Sequence, residues 1–142
     1  MAVVGRISRI QRRIDLAQRE TFARFGLDPP AFDVLATLRR SGAPHALTPG
    51  SLMRTAMVTS GAITQRLDRL EARGLVTRGP HPDDGRVVVV ALTPAGLTLV
   101  DEVLPAHLQT EEHLLAALSP LERATLAALL RTLDGALESP PG

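Results

Sequence analysis

The 142-residue chain has no Cys, no Trp and no Tyr. Without Cys, disulfides, thiolate metal sites and thiol-based redox sensing are excluded. With Phe as its only aromatic of the three, at three positions, the core must be built from Leu, Val, Ile and Ala. Leu and Ala dominate, and both favour helix. Lys is missing too, so all 16 cations are Arg. Guanidinium suits phosphate and guanine, although a coding bias also explains so complete an absence. No apolar run is long enough to span a bilayer, and the opening MAVVGRISRIQRR lacks the apolar core of a signal peptide. The expectation is a soluble, cytoplasmic protein with no membrane partner. There is no glycine-rich phosphate loop, and Ser51 and Ser60 have no His and acid partners in a recognisable order. No catalytic residue, no metal site and no cofactor is expected, and the chain does not read as an enzyme.

What is present is hydrophobic residues at 44% and a net charge of +1 that hides an asymmetry. Residues 1–40 hold eight Arg against four acids, and residues 48–86 hold six against four. Residues 87–142 reverse the balance, with two Arg against seven acids. Positive charge over the first two-thirds suits a polyanion, and the acidic end must face elsewhere. The length fits a single domain, 1–142.

Four helix starts share one signature. Asp28-Pro29, Thr48-Pro49, Thr93-Pro94 and Ser119-Pro120 each place a capping side chain before a Pro suited to the first helical position. Glu122, three residues after Ser119, completes a capping box. The spacing predicts helix one over Arg6 to Phe25, with Gly26 as its stop, and helix two over Pro29 to Arg40. Ser41 to Pro44 reads as a loop. Helix three, Pro49 to Ala56, is short, and helix four runs from Ser60 to Arg73 with Gly74 as its C-terminal stop. Leu75 to Arg78 and Arg86 to Leu92 read as two strands around the turn-rich tip Gly79 to Gly85, with Val88, Val90 and Leu92 as strand core. Helix five follows Thr93, where Pro105 should kink or interrupt it. Helix six runs from Pro120 to Leu137, and residues 139–142 read as a frayed tail. The fold class is mainly α with a small β-wing: about six helices and a hairpin, in the order of a winged helix-turn-helix.

Helix four is the most legible element. Ile63, Leu67 and Leu70 form one narrow stripe. The opposite side is centred on Gly61, Gln65, Asp68 and Ala72, with Thr64 and Arg69 at its edges. Gln bonds adenine in a bidentate way, Arg bonds guanine and Thr serves either. Ser60 and the amides at the helix start suit a phosphate. Read alone, the same helix is an ordinary amphipathic one with a solvated face; the short helix before it and the hairpin after it favour DNA. Asp68 counts against direct contact at its own position, because a carboxylate repels phosphate. At the hairpin tip, Arg86 suits a narrow minor groove, and Asp84, two residues earlier, suits holding it in place. A plain solvated turn would use the same Pro, Asp and Gly.

His45, His81, His107 and His113 form no close pair at metal spacing. His107 and Glu111 share a helix face, but solvated surface is the better reading than zinc. Leu126, Leu129, Leu130, Leu133 and Leu137 give helix six a broad apolar face, with Leu114, Leu115 and Leu118 adding to it from helix five. A winged domain offers too little surface to cover both terminal helices, so a homodimer is expected. The alternative function is a winged-helix protein-interaction module without operator binding.

Asp84-Gly85-Arg86, then Val90, Leu92-Thr93 and Gly96, resembles the wing signature of the multiple antibiotic resistance regulator (MarR) family. RLDRLEARGLVTR, residues 66–78, resembles the end of that family's recognition helix and its first wing strand. The resemblance covers almost the whole chain. It implies a homodimeric transcription regulator, a repressor by family habit, with a DNA-binding lobe over 28–92 and dimerisation helices over 1–27 and 93–138. It implies double-stranded DNA with a near-palindromic operator as partner. Thr59, Ser60, Gly61, Thr64, Gln65, Arg69 and Arg86 are the implied DNA-binding residues, with Asp84 orienting the wing. A small aromatic or phenolic effector is the implied ligand. MVTSGAITQRLDRLEARG is most similar to a branch that answers to urate and related aromatics, a branch that usually carries a Trp.

Overall fold

A computed structural model describes residues 1–56 and 60–138. Six helices and three strands follow in the order α1 (Ala2–Ala23), α2 (Pro29–Arg40), β1 (Ala46–Leu47), α3 (Pro49–Ala56), α4 (Ser60–Ala72), β2 (Val76–Pro80), β3 (Val88–Leu92), α5 (Pro94–Leu114) and α6 (Pro120–Glu138). The expected tail at 139–142 lies outside the described residues.

All four capping signatures act as such. Asp28 accepts from the Ala31 amide at 2.9 Å, Thr48 Oγ1 from Ser51 at 3.1 Å and Thr93 Oγ1 from Gly96 at 3.0 Å. At α6 the box is reciprocal: the Glu122 amide donates to Ser119 Oγ, and the Ser119 amide donates back to Glu122 Oε1 at 2.9 Å. The stops are equally local. Gly74 sits at φ +71°, and Leu75 N–H reaches back to the Leu70 carbonyl, closing α4 in the left-handed turn that glycine favours.

Residues Met1–Leu108 form one compact unit and Gln109–Gly142 a second. In the first, α2 is the hub. Val34, Leu35 and Leu38 are completely buried with Leu52 of α3, Val90 of β3, and Val100 and Val103 of α5. Phe22 and Phe32 join them, with ring centroids 4.5 Å apart, so the core is not purely aliphatic. The sheet is antiparallel with order β1-β3-β2. Val76 pairs with Leu92, Arg78 with Val90 and Pro80 with Val88.

Several expectations are corrected. Helix one starts at Ala2 and ends at Ala23. The wing strands are shifted outward on the first arm and shortened on the second, because hairpin pairing rather than β-propensity sets their ends. Strand β1 was not anticipated; its two residues are strand only because β3 offers them an edge, at Ala46↔Ala91 and Leu47↔Val90. Pro105 does not interrupt α5, since losing the single amide that would bond the Asp101 carbonyl leaves the flanking turns intact. Val88 is half exposed rather than core, because it pairs with Pro80 beyond the reach of the helices.

In the second unit, α6 buries none of its residues. Leu121, Leu129 and Leu137 are 77%, 64% and 75% exposed, an apolar face that water does not favour. Arg123 ties the preceding turn together, donating to Glu112 at 2.8 Å and to the Leu115 and Leu118 carbonyls.

Gly96 gives the sharpest packing test. It is buried, and a Cβ there would drive into the Leu75 carbonyl. Gly96→Ala should lower stability to denaturant by about 1–3 kcal/mol, whereas Gly5→Ala, into open space, should be neutral or slightly stabilising. An unchanged midpoint for Gly96→Ala would mean that α5 can move off β2.

Candidate nucleic-acid interface

The stripe Ile63, Leu67 and Leu70 is buried to 2% exposure at each position. Helical geometry then turns Gly61, Gln65, Asp68 and Ala72 outward, and all four are exposed, as are Thr64 and Arg69 at the edges. Ser60 opens the helix. Thr59 lies outside the described residues.

Arg69 differs from the others in its setting. It lines a shallow cleft with Arg66 and Arg73, facing the α1–α2 turn at Gly26 to Asp28. Arg73 closes that side by donating to the Gly26 carbonyl at 2.6 Å.

The wing tip is built by local bonds. His81 N–H donates to the Val87 carbonyl at 2.7 Å, and Val87 N–H to Asp84 at 3.0 Å. Asp84 Oδ1 accepts both the Arg86 amide, at 3.1 Å, and Arg86 Nε, at 3.2 Å. Asp84 thus bonds both the backbone and the side chain of Arg86, while leaving the arginine side chain 92% exposed. An exposed pair of this kind adds little stability, so its effect is directional.

Asp68 is engaged by a residue the sequence reading passed over. Arg78 of β2 places Nη2 2.6 Å from Asp68 Oδ1 and 3.1 Å from Glu71 Oε1, and its own amide donates to Glu71 Oε2 at 3.0 Å. The Arg78 hydrogen bond holds the Glu71 carboxyl below the usual carboxylate range.

On the side of α4 away from Gln65 lies a cavity of about 440 Å³. Its walls include Asp15 and Arg19 of α1, Phe22, Phe32, Asp33 of α2, Arg66 of α4 and His107 of α5. His107 is not the solvated surface residue expected from its helix position; it stacks against Phe22 and Phe32 with centroids at 5.3 and 4.9 Å. Burial raises the Asp33 carboxyl above its ordinary value, against the pull of Arg40 and Arg66. Asp33 and Arg66 were not singled out from sequence. An acid between Phe32 and Val34, inside an otherwise apolar helix face, was the available signal. Among the described residues no three His, Asp or Glu side chains gather as metal ligands, and no helix is long and apolar enough to cross a membrane.

Comparison with known proteins decides the family. Residues 25–87 match the model described as MarR family. Over 134 residues the chain is 39% identical to the HTH-type transcriptional regulator PecS of Dickeya dadantii, covering 94% of this chain and 81% of the relative. The chain belongs to the MarR family. Among solved structures, a mutant MarR from E. coli complexed with operator DNA superposes with a TM-score of 0.83 at 28% identity, covering 94% of each chain. BpsR of Bordetella bronchiseptica, whose DNA binding is regulated by 6-hydroxynicotinic acid, gives 0.82 at 29% identity, covering 93% of this chain and 92% of that one. The winged helix-turn-helix read from element order is therefore the family's own.

The half-buried Asp33 carboxyl at this cavity supplies a pH test. The folded chain holds the Asp33 proton to higher pH than the unfolded chain does. Its ionisation therefore costs stability as pH rises through the interval between the two values, and costs nothing below the unfolded value. Asp33→Asn should raise Tm at pH 7 and leave it unchanged at a pH below the ordinary aspartate range. An equal gain at both would assign the effect to something other than ionisation.

Proposed function

We propose that this protein is a sequence-specific DNA-binding transcription regulator that works in the cytoplasm as a homodimer, repressing until a small aromatic or phenolic ligand releases it. The observation that carries the reading is the pairing of an outward polar helix face, Thr64 and Gln65 with Gly61 beside them, with a wing arginine that is almost wholly exposed and already oriented. Gln65 and Thr64 meet base edges, Arg69 reaches backbone from the helix edge, Arg86 enters the minor groove, and the phosphate role is assigned to Thr59 and Ser60 by the family resemblance. An interaction module would present an apolar face on α4; the exposed face here is polar.

The exposed leucines of α6 and the exposed Val3, Ile7 and Ile10 of α1 support a second copy of the chain as the partner that covers them. Two-fold symmetry then sets the recognition helices roughly 34 Å apart and makes the operator near-palindromic. The cavity beside α4 supports the effector. It offers aromatic walls, Arg19 paired with Asp15, Arg66, and an Asp33 carboxyl that burial disposes towards its neutral form, a setting for a small aromatic anion. Arg66 lies next to Gln65 in sequence, so an occupant that draws on Arg66 bears on the reading helix directly.

Operator binding should weaken steeply with salt, because each neutralised phosphate releases counterions. Gln65→Ala should relax preference at one base step by about 1–3 kcal/mol, measured across single-base operator variants. Arg86→Ala should weaken binding to every sequence; unchanged affinity would reduce the tip to a plain turn. For the effector, small aromatic acids should raise the melting temperature of the parent by mass action and lose that effect in Arg66→Ala. Equal stabilisation of both proteins would place the ligand outside the cavity.

A further inference from the structure

Arg78 belongs to the wing, yet its side chain is turned towards α4. It sits in the middle of β2, opposite Val90, and among the described residues β2 is an edge strand paired with β3 alone. The base of the hairpin is held by burial of Val76 and Val90 and by Thr93, which donates from Oγ1 to the Gly74 carbonyl at 2.6 Å. Further out, Val87 and Val88 are exposed and Arg86 points into solvent. Between base and tip, the connection from hairpin to helix is Arg78: one guanidinium reaches Asp68 and Glu71, three residues apart on the outward side of α4, while its amide takes the same Glu71 carboxylate. We propose that Arg78 is a positioning residue that joins the wing to α4 as one rigid reading unit and neutralises Asp68, one turn from Gln65, together with Glu71. The inference rests on the DNA-binding reading of that face.

Two physical arguments support it. A carboxylate on a surface that meets phosphate is repulsive, and Asp68 lies one turn from Gln65 and Thr64; a bound guanidinium removes that penalty without occupying the groove. The geometry also requires a fork. Nη2 bridges both acids and Nε leans on Glu71 at 3.4 Å, an arrangement that an ammonium point charge cannot copy. Because exposed ion pairs contribute little to stability, the consequence of losing this one falls on the angle between wing and helix, and so on specificity. The low-lying Glu71 carboxyl fits this: its contribution is present above the unfolded value and is lost as pH falls through the folded one.

The test uses the full chain, a duplex selected by the parent from a randomised pool, and a scrambled duplex of equal length. Arg78→Lys keeps the neutralising charge but not the fork. It should bind the scrambled duplex within about two-fold of the parent while losing about ten-fold of the preference for the selected one. Arg78→Met should lose affinity for both duplexes, and adding Asp68→Asn and Glu71→Gln should restore affinity but not preference. Preference retained in Arg78→Lys, or restored in the triple variant, overturns the proposal. Amide hydrogen exchange without DNA separates this from the underlying reading. In Arg78→Met, exchange should quicken over 76–80 and 88–92 and stay unchanged in α2. If the parent selects no duplex, operator binding fails while the exchange difference still decides the joint; unchanged exchange across the wing overturns it.

Discussion

The burial of Ile63, Leu67 and Leu70 is the constraint from which the rest of the interface follows. A helix has one rotation about its axis that removes a given stripe from water, and each of these three side chains favours that rotation by about 1.5–3 kcal/mol. Once it is fixed, Gln65 and Thr64 point out and Arg66 points towards the α1–α2–α5 cavity. One packing event therefore assigns neighbouring residues of α4 to two surfaces, an exposed polar one and one that lines the cavity.

Charge then refines what burial has set. The interface combines arginines with acids that would oppose a polyanion if left alone, and three of those acids are paired with a nearby guanidinium. Asp84 receives Arg86 and aims it; Asp68 and Glu71 receive Arg78. Neither pairing adds much to folding stability at such exposure. Their shared effect is to hold cations in place before any phosphate arrives, which lowers the ordering cost of binding.

The family assignment and the geometry bear on each other. A MarR-family chain with superposable neighbours solved with operator DNA, or regulated by a small aromatic acid, carries a cavity whose acid is pushed towards its neutral form and whose Arg66 belongs to α4. The proposed coupling needs a structural element shared by both sites, and α4 carries both Arg66 and Gln65. Shifting Arg66 shifts Gln65, because a packed helix moves as a body.

Sequence alone was sufficient wherever the governing interaction spans a few residues. The four cap-and-proline starts, the glycine stop at Gly74, the stripe on α4 and the Asp84–Arg86 spacing were all readable, because caps, turns and helical faces are decided within three or four positions. Tertiary structure decided what depends on distant partners. Strand β1 exists because β3 offers an edge; His107 is partly shielded because two phenyl rings from other helices meet it; Val88 is exposed because the hairpin outruns the core. Arg78 drew no role from the sequence, because only the folded hairpin brings it to Asp68 and Glu71. Local rules fix each element and the face it offers, while only packing fixes which faces meet, since contact between elements depends on chain geometry that no short window of residues contains.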